Sequence, residues 1–257
     1  MEQYHKEIID WIKTFFEDKP WAKAVIGISG GKDSTVCAAL LVEALGKERV
    51  VGVMMPNGEQ KDISDSKRVC DLLGIERFTV DIGPAFVALS NAINIGKDLS
   101  SCSLYTTNTP ARLRMTTLYG VAAAVGGLVC CTGNKSEDFI GYSTKYGDAA
   151  GDFALLNRLT KTEVVDLGDY MKLPYELIHK TPSDGMCGKT DEDNMGFSYD
   201  VLDAYLLDEV VPDYETLRNI ESRHERNLHK RAIALPYVRA KTRAWHENSD
   251  KEPDIWF

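Results

Sequence analysis

The chain has 257 residues, 44% of them hydrophobic, and a formal net charge of −9. That length serves one large domain or two small ones with a full core, and the acidic balance excludes nucleic-acid binding as the main task. It does not exclude a phosphorylated small molecule held by a few local Lys and Arg. In chain order, residues 2–18 have helical periodicity, with Ile8, Ile9, Trp11, Ile12, Phe15 and Phe16 on one broad face. A strand is expected at 24–29, a helix at 33–45, a strand at 50–55, a helix at 63–73 and a strand at 77–81. Residues 85–94 make a weak helix and 96–110 read as a polar loop. A long helix follows at 111–125, then a strand at 128–132. Residues 138–160 are glycine-rich and irregular, with further helices at 162–171, 199–207 and 213–228. The stretch 181–196 reads as a mobile loop.

Strands alternating with helices predict an α/β fold, a doubly wound and mostly parallel sheet with helices on both faces, Rossmann-like in outline. Val- and Ile-rich strands suit burial on both faces. No internal repeat or linker divides the chain, so 1–257 is read as one domain. It has an N-terminal helix, a core of about residues 20–180 and C-terminal helices over about 197–235. No apolar run approaches the ~20 residues of a membrane span, and no signal peptide is visible at the start. The six cysteines, at 37, 70, 102, 130, 131 and 187, form no Cys-x-x-Cys, and no His stands at zinc-finger spacing. Free thiols and no export signal predict a cytoplasmic protein, with Cys37, Cys130 and Cys131 as small core residues.

The most informative stretch is Val25-Ile-Gly-Ile-Ser-Gly-Gly-Lys-Asp-Ser34. An apolar strand runs into a loop of small residues and straight on into a helix, the layout of a phosphate site. Gly30 and Gly31 can take φ > 0 and let backbone N–H groups approach an anion. Ser29 and Ser34 add hydroxyls, and the helix dipole points at the same place. Asp33 would repel a phosphate unless a divalent cation lay between them, so it implies Mg²⁺. The spacing is neither that of a Walker A loop nor Gly-x-Gly-x-x-Gly.

A second group, Thr132-Gly-Asn-Lys-Ser-Glu137, follows the fourth strand and reaches the same sheet edge. Glu137 reads either as a second Mg²⁺ ligand beside Asp33 or as an exposed acid at a helix start. Beyond it lie Lys145, Asp148, Asp152 and Lys161, among small residues unlike a packed core. They are either a solvated loop or a functional one.

Ser-Gly-Gly-Lys-Asp-Ser resembles the pyrophosphate loop of the ATP pyrophosphatases. Six further segments then follow in order: Ala111-Arg-Leu-Arg-Met115, Thr132–Glu137, Thr144-Lys-Tyr-Gly-Asp-Ala-Ala-Gly-Asp152, Arg158-Leu-Thr-Lys161, Thr181-Pro-Ser-Asp184 and His229-Lys230. Together they resemble the ammonia-dependent NAD⁺ synthetases, over about residues 5–235. The resemblance implies an ATP-pyrophosphatase type of fold. It implies a ligase that joins deamido-NAD⁺ (nicotinic acid adenine dinucleotide) and ammonia at the expense of ATP. The products would be NAD⁺, AMP and pyrophosphate, formed through an adenylate.

By position, the resemblance puts Gly27, Ile28, Ser29, Gly30, Gly31, Lys32, Asp33 and Ser34 on the ATP phosphates, with Thr132, Lys161 and Ser183 also touching ATP. Asp33 and Glu137 would hold Mg²⁺. Arg112, Lys145, Asp152, His229 and Lys230 would contact deamido-NAD⁺, with Arg114 an alternative to Arg112. Asp148 would lie near the ammonia site, and Asp33, Asp148 and Lys161 would carry the catalysis. Ser183 stands where Thr is usual, and Gly185-Met-Cys-Gly-Lys189 replaces an expected acidic stretch. Within these 257 residues there is no room for a glutamine-hydrolysing region, so free ammonia is the expected nitrogen source. Family members are homodimers, and the N-terminal helix and the 111–125 helix are the candidate contact faces. Two other readings stay open: another ATP pyrophosphatase with a different acceptor, and a nucleotide-binding sensor without chemistry.

Overall fold

The computed structural model describes residues 1–59, 63–93, 95–180 and 191–231. Five strands form one parallel sheet: β1 (Lys23–Gly27), β2 (Val50–Met54), β3 (Glu76–Thr79), β4 (Gly127–Cys131) and β5 (Phe153–Ala154). Their order is β3-β2-β1-β4-β5. The helices are α1 (Glu2–Phe15), α2 (Lys32–Leu45), α3 (Ile63–Leu73), α4 (Gly83–Ala92), α5 (Ser103–Val125), α6 (Lys135–Ile140), α7 (Lys161–Tyr170), α8 (Tyr175–Ile178), α9 (Asp191–Met195), α10 (Tyr199–Leu206) and α11 (Tyr214–Asn227).

Alternation along the strands divides the core. Ala24, Ile26, Val50 and Met54 face one side, where they join residues of α1, α2 and α7 such as Ile12, Leu40 and Leu167. Val25, Val51, Val53 and Val129 face the other, against Met115, Leu118 and Ala122 of α5. Both central strands are therefore covered twice, as expected of a parallel sheet. The edge strand β3 is exposed along its whole length, which departs from that expectation. A third cluster, with Ile140, Met195, Leu202 and Ile220, ties α6, α9, α10 and α11 together beside the sheet.

Three other expectations are corrected. The stretch 96–110 is not all loop, because α5 begins at Ser103 and carries Pro110 inside it. Proline in a helix interior costs about 3 kcal/mol, which is why the sequence reads as a break there. Tertiary contact offsets it: Tyr105 stacks on Phe86 at 5.7 Å and its hydroxyl meets that of Ser90 at 2.7 Å. The region 138–160 contains a short fifth strand, too brief at two residues to show periodicity. Part of the 181–196 stretch is helix α9, held by burial of Met195, while residues 181–190 lie outside the described residues.

Candidate active site

In the observed strand order, β1 and β4 are neighbours whose chains leave toward opposite edges of the sheet. A crevice opens beyond their carboxyl ends at such a switch point. Here it is a cavity of about 1120 Å³, whose wall includes Ser29, Asp33, Ser34, Thr132, Glu137 and Asp148. The two sequence segments singled out for phosphate and cation chemistry thus meet.

The β1–α2 loop is built for close approach. Gly30 has φ +81°, and a Cβ there would lie 2.8 Å from Asp65 Cβ, so only glycine fits beneath α3. Gly31 does not need that freedom: its φ is −87°, and it is the N-cap of α2. The hydroxyls fold inward. Ser29 Oγ lies 3.1 Å from Ser34 Oγ and accepts from Gly31 N at 3.2 Å. Gly31 supplies no side-chain cap, so among the described residues the first turn of α2 is left open to an anion. Ile28 turns into the core and its N–H joins Val53 O at 2.9 Å, so it shapes the loop from behind.

Opposite this loop stand α6 and α7. Asn134 caps α6 by accepting from Glu137 N at 3.0 Å. Its amide also donates to Asp33 Oδ1 at 2.8 Å, so one buried side chain ties the two carboxylate-bearing segments together. Lys161 Nζ donates to Glu137 Oε1 at 2.9 Å, lies 3.7 Å from Asp191 Oδ2 and sits 3.9 Å from the centre of the Tyr199 ring. Burial opposes the Lys161 charge, yet Glu137, Asp33 and Asp191 hold its ammonium above the ordinary value. Burial, and next the charge of Glu137, push the Asp33 carboxyl up to about 6. Burial and the neighbouring Lys161 push Lys32 down.

Among the described residues no cluster of three or more His, Cys, Asp and Glu makes a self-contained metal site. Magnesium uses one or two protein carboxylates and takes its other ligands from phosphate and water. Asp33 and Glu137 suit that pattern, because the burial and the Glu137 repulsion that raise Asp33 are what a divalent cation would offset.

The far wall holds four of the other expected residues, Lys145, Asp148, Asp152 and Lys230. Burial raises the Asp148 carboxyl, against the pull of a hydrogen bond from Thr144 N at 3.0 Å. Arg114, bonded to Met55 O at 3.0 Å, and Lys230 both feel its charge. Lys230 Nζ bonds Gly141 O at 2.7 Å and Ser143 O at 2.9 Å, and Lys145 Nζ bonds His229 O at 2.6 Å. Both lysines line the cavity. Arg112 and His229 lie outside its wall: Arg112 Nε bonds Lys145 O at 3.2 Å, and His229 Nδ1 is 3.0 Å from Arg226 O. Asp152 is at the wall, but its oxygens are engaged by Val129 N at 2.7 Å and Tyr119 OH at 3.3 Å. Ser183 lies outside the described residues.

Three residues of this constellation were missed from sequence: Asn134, Asp191 and Tyr199. Asn134 had a signal, an N-cap residue three positions before a Glu. The others come from later helices with no spacing relation to the first loop. Cys131, expected as core, lines the cavity instead, and burial pushes its thiol up to about 12. The five described cysteines are free.

The model of the NAD synthase family matches residues 4–234. The NH₃-dependent NAD⁺ synthetase of Pyrococcus furiosus is 34% identical over 244 residues, covering 90% of this chain and 93% of the relative. Among solved structures, an NMN synthetase from Francisella tularensis superposes with a TM-score of 0.84 at 34% identity, covering 92% of this chain and 98% of the other. The NAD⁺ synthetase of Burkholderia pseudomallei superposes at 0.74 with 27% identity, covering 91% and 90%.

Proposed function

The chain belongs to the NAD synthase family and is an ammonia-dependent amidating enzyme of that family. On that premise we propose that it converts deamido-NAD⁺, ATP and ammonia to NAD⁺, AMP and pyrophosphate through an adenylate. The observation that carries this reading is the meeting of an open helix start with Asp33 and Glu137 in one crevice, where the buried Lys161 ammonium backs Glu137 at 2.9 Å.

A carboxylate is a poor acyl donor because its oxygen leaves badly. Attack by the nicotinate carboxylate on the α-phosphorus of ATP makes that oxygen part of an AMP leaving group and expels pyrophosphate. Open amides of α2 and the ammonium of Lys161 meet the charge that develops on the pyrophosphate. Asp33 and Glu137 would hold Mg²⁺, which when bound neutralises phosphate oxygens and polarises the phosphoryl group. Ammonia then attacks the adenylate and AMP departs. Ammonium dominates near neutral pH and is no nucleophile. Asp148, whose carboxyl burial makes more basic than an exposed one, is suited to bind it and accept its proton. Lys145, Lys230 and one of Arg112 and Arg114 hold the dinucleotide, with Asp152 bracing β4 beside it.

A second copy of the chain is the proposed partner. Helix α4 buries none of its residues, and Val87, Leu89 and Leu104 are exposed around the α4–α5 pair. Helix α1 instead spends Ile9 and Ile12 on its own core, which favours α4–α5 as the contact. A shared dinucleotide site there would give Arg112 a role outside its own cavity. No described helix is long and apolar enough to cross a membrane. The cytoplasm is the proposed compartment, which free thiols suit.

The decisive assay follows NAD⁺, AMP and pyrophosphate from deamido-NAD⁺, ATP and ammonium, with and without magnesium. Equal molar amounts of the three products support the reading; ATP binding without acceptor-dependent turnover overturns it. The higher superposition on an NMN synthetase, 0.84 against 0.74, favours a second reading in which the deamido mononucleotide is also amidated. The ratio of kcat/KM for the two acceptors decides between them.

A further inference from the structure

Asp203, on α10, is 2% exposed and forms no ion pair among the described residues. It does not line the cavity. Its hydrogen bonds nevertheless all run to the two segments that carry the Glu137–Lys161 pair. Oδ1 accepts from Ser136 Oγ, in α6 immediately before Glu137. Oδ2 accepts from Thr162 N and from Thr162 Oγ1, each at 2.7 Å, immediately after Lys161 in α7. Ser136 Oγ in turn accepts from Lys161 N at 3.0 Å. One buried carboxylate therefore joins the first turns of two helices that come from separate stretches of chain.

We infer that Asp203 is a positioning residue for the reaction proposed above, fixing the distance and angle at which Glu137 and Lys161 are offered to the phosphates. The physical reason is leverage. Helix α6 is only six residues long. Among the described residues, its polar links to α7 and the residues just before it are Lys135 N on Leu159 O at 2.8 Å, the Ser136 relay and the ion pair itself. The ion pair must loosen when phosphates arrive, so the framework behind it has to hold alone. A displacement of about 1 Å at such groups costs on the order of 10²-fold in rate. Oδ2 also accepts from a first-turn amide of α7, at the positive end of that helix.

The test compares Asp203→Asn and Ser136→Ala with Ile220→Val, a core change in α11. Amide hydrogen exchange is measured on each ligand-free protein, and NAD⁺ formation from deamido-NAD⁺, ATP and ammonium on each folded one. Asp203→Asn and Ser136→Ala should each lower kcat about tenfold or more, with KM for ATP changed about twofold or less. Their double variant should lose no more than the worse single, because both cut one path. The Lys161 and Thr162 amides should exchange faster in both. Ile220→Val should lower the melting temperature and leave kcat unchanged. A fall in melting temperature with unchanged kcat in the Asp203 and Ser136 variants, or losses that multiply in the double, overturns the inference. If Asp203→Asn does not fold, Ser136→Ala decides by the same readouts. An inactive wild type counts against the proposed reaction alone, and the exchange of the Lys161 and Thr162 amides then decides this inference.

Discussion

Two helices begin at the crevice, and their first turns are treated in opposite ways. At the start of α7, three successive amides are occupied. Lys161 N goes to Ser136 Oγ, Thr162 N to Asp203 Oδ2 and Glu163 N to Thr160 Oγ1 at 3.3 Å. Glu163 Oε2 in turn accepts from Thr160 N at 2.8 Å, completing a capping box. At the start of α2 the cap residue is Gly31, which has no side chain to offer. Both ends carry the same partial positive charge. Only α2 keeps its donors for a ligand, whereas α7 spends its own on rigidity and offers the Lys161 side chain instead. On the proposed reading, the helix start left without a side-chain cap is the one that meets the phosphates.

The contrast is broken most severely by removing the charge in front of α2. Asp33→Asn should lower kcat about 10³-fold, since several kcal/mol of transition-state stabilisation depend on a cation-binding carboxylate. The same change should stabilise the ligand-free protein at pH 8. The folded Asp33 carboxyl is raised to about 6 from the ordinary 3.8, so its neutral form is favoured by folding. That contribution is full below pH 3.8 and lost as pH rises through 6. For a half-buried group it amounts to about 1–3 kcal/mol. Thermal melts of wild type and variant between pH 4 and 8 should therefore diverge as pH rises, and parallel curves would refute the assignment.

Filling the open end comes next. Gly31→Asp installs a cap at allowed φ, with only Ser29 Oγ near the new Cβ, at 3.3 Å. It should stabilise the ligand-free protein by about 0.5–1 kcal/mol while weakening ATP binding about 10²-fold, read by calorimetry. Asn134→Ala should fall between the two regions. Losing the α6 cap and the Asp33 bond together should cost about 2 kcal/mol of stability and about tenfold in kcat. An Asn134 variant with full kcat would show that Asp33 is held by something else. The smallest effect is expected at the closed end. Thr160→Ala removes half of the capping box and should lower stability by about 1 kcal/mol while changing kcat about twofold or less. A large loss of kcat there would erase the distinction between the two starts.

Much of this was legible along the chain. The first five elements were readable because period-two and period-3.6 apolar patterns are local properties. The Ser29–Ser34 loop and the Thr132–Glu137 segment each follow a strand, and a parallel sheet brings strand ends to one edge. The start of α5 was hidden because Tyr105 and Pro110 are stabilised there by packing that local propensity opposes. Asp152 stands at the cavity wall, but nothing in its polar loop announced that Val129 N would also bond it.

The order of small residues, hydroxyls and acids after β1 and β4 already pointed to this sheet edge as the place for phosphate and cation chemistry, because those signals lie within a few residues of each other. Which donors remain free could be decided only in three dimensions. Asp191 and Tyr199 reach Lys161, and Asp203 its neighbour Thr162, from helices far along the chain, and a contact between distant segments leaves no periodic trace in sequence. Spatial competition for each amide, not the identity of the residue that bears it, separates the open helix start from the closed one.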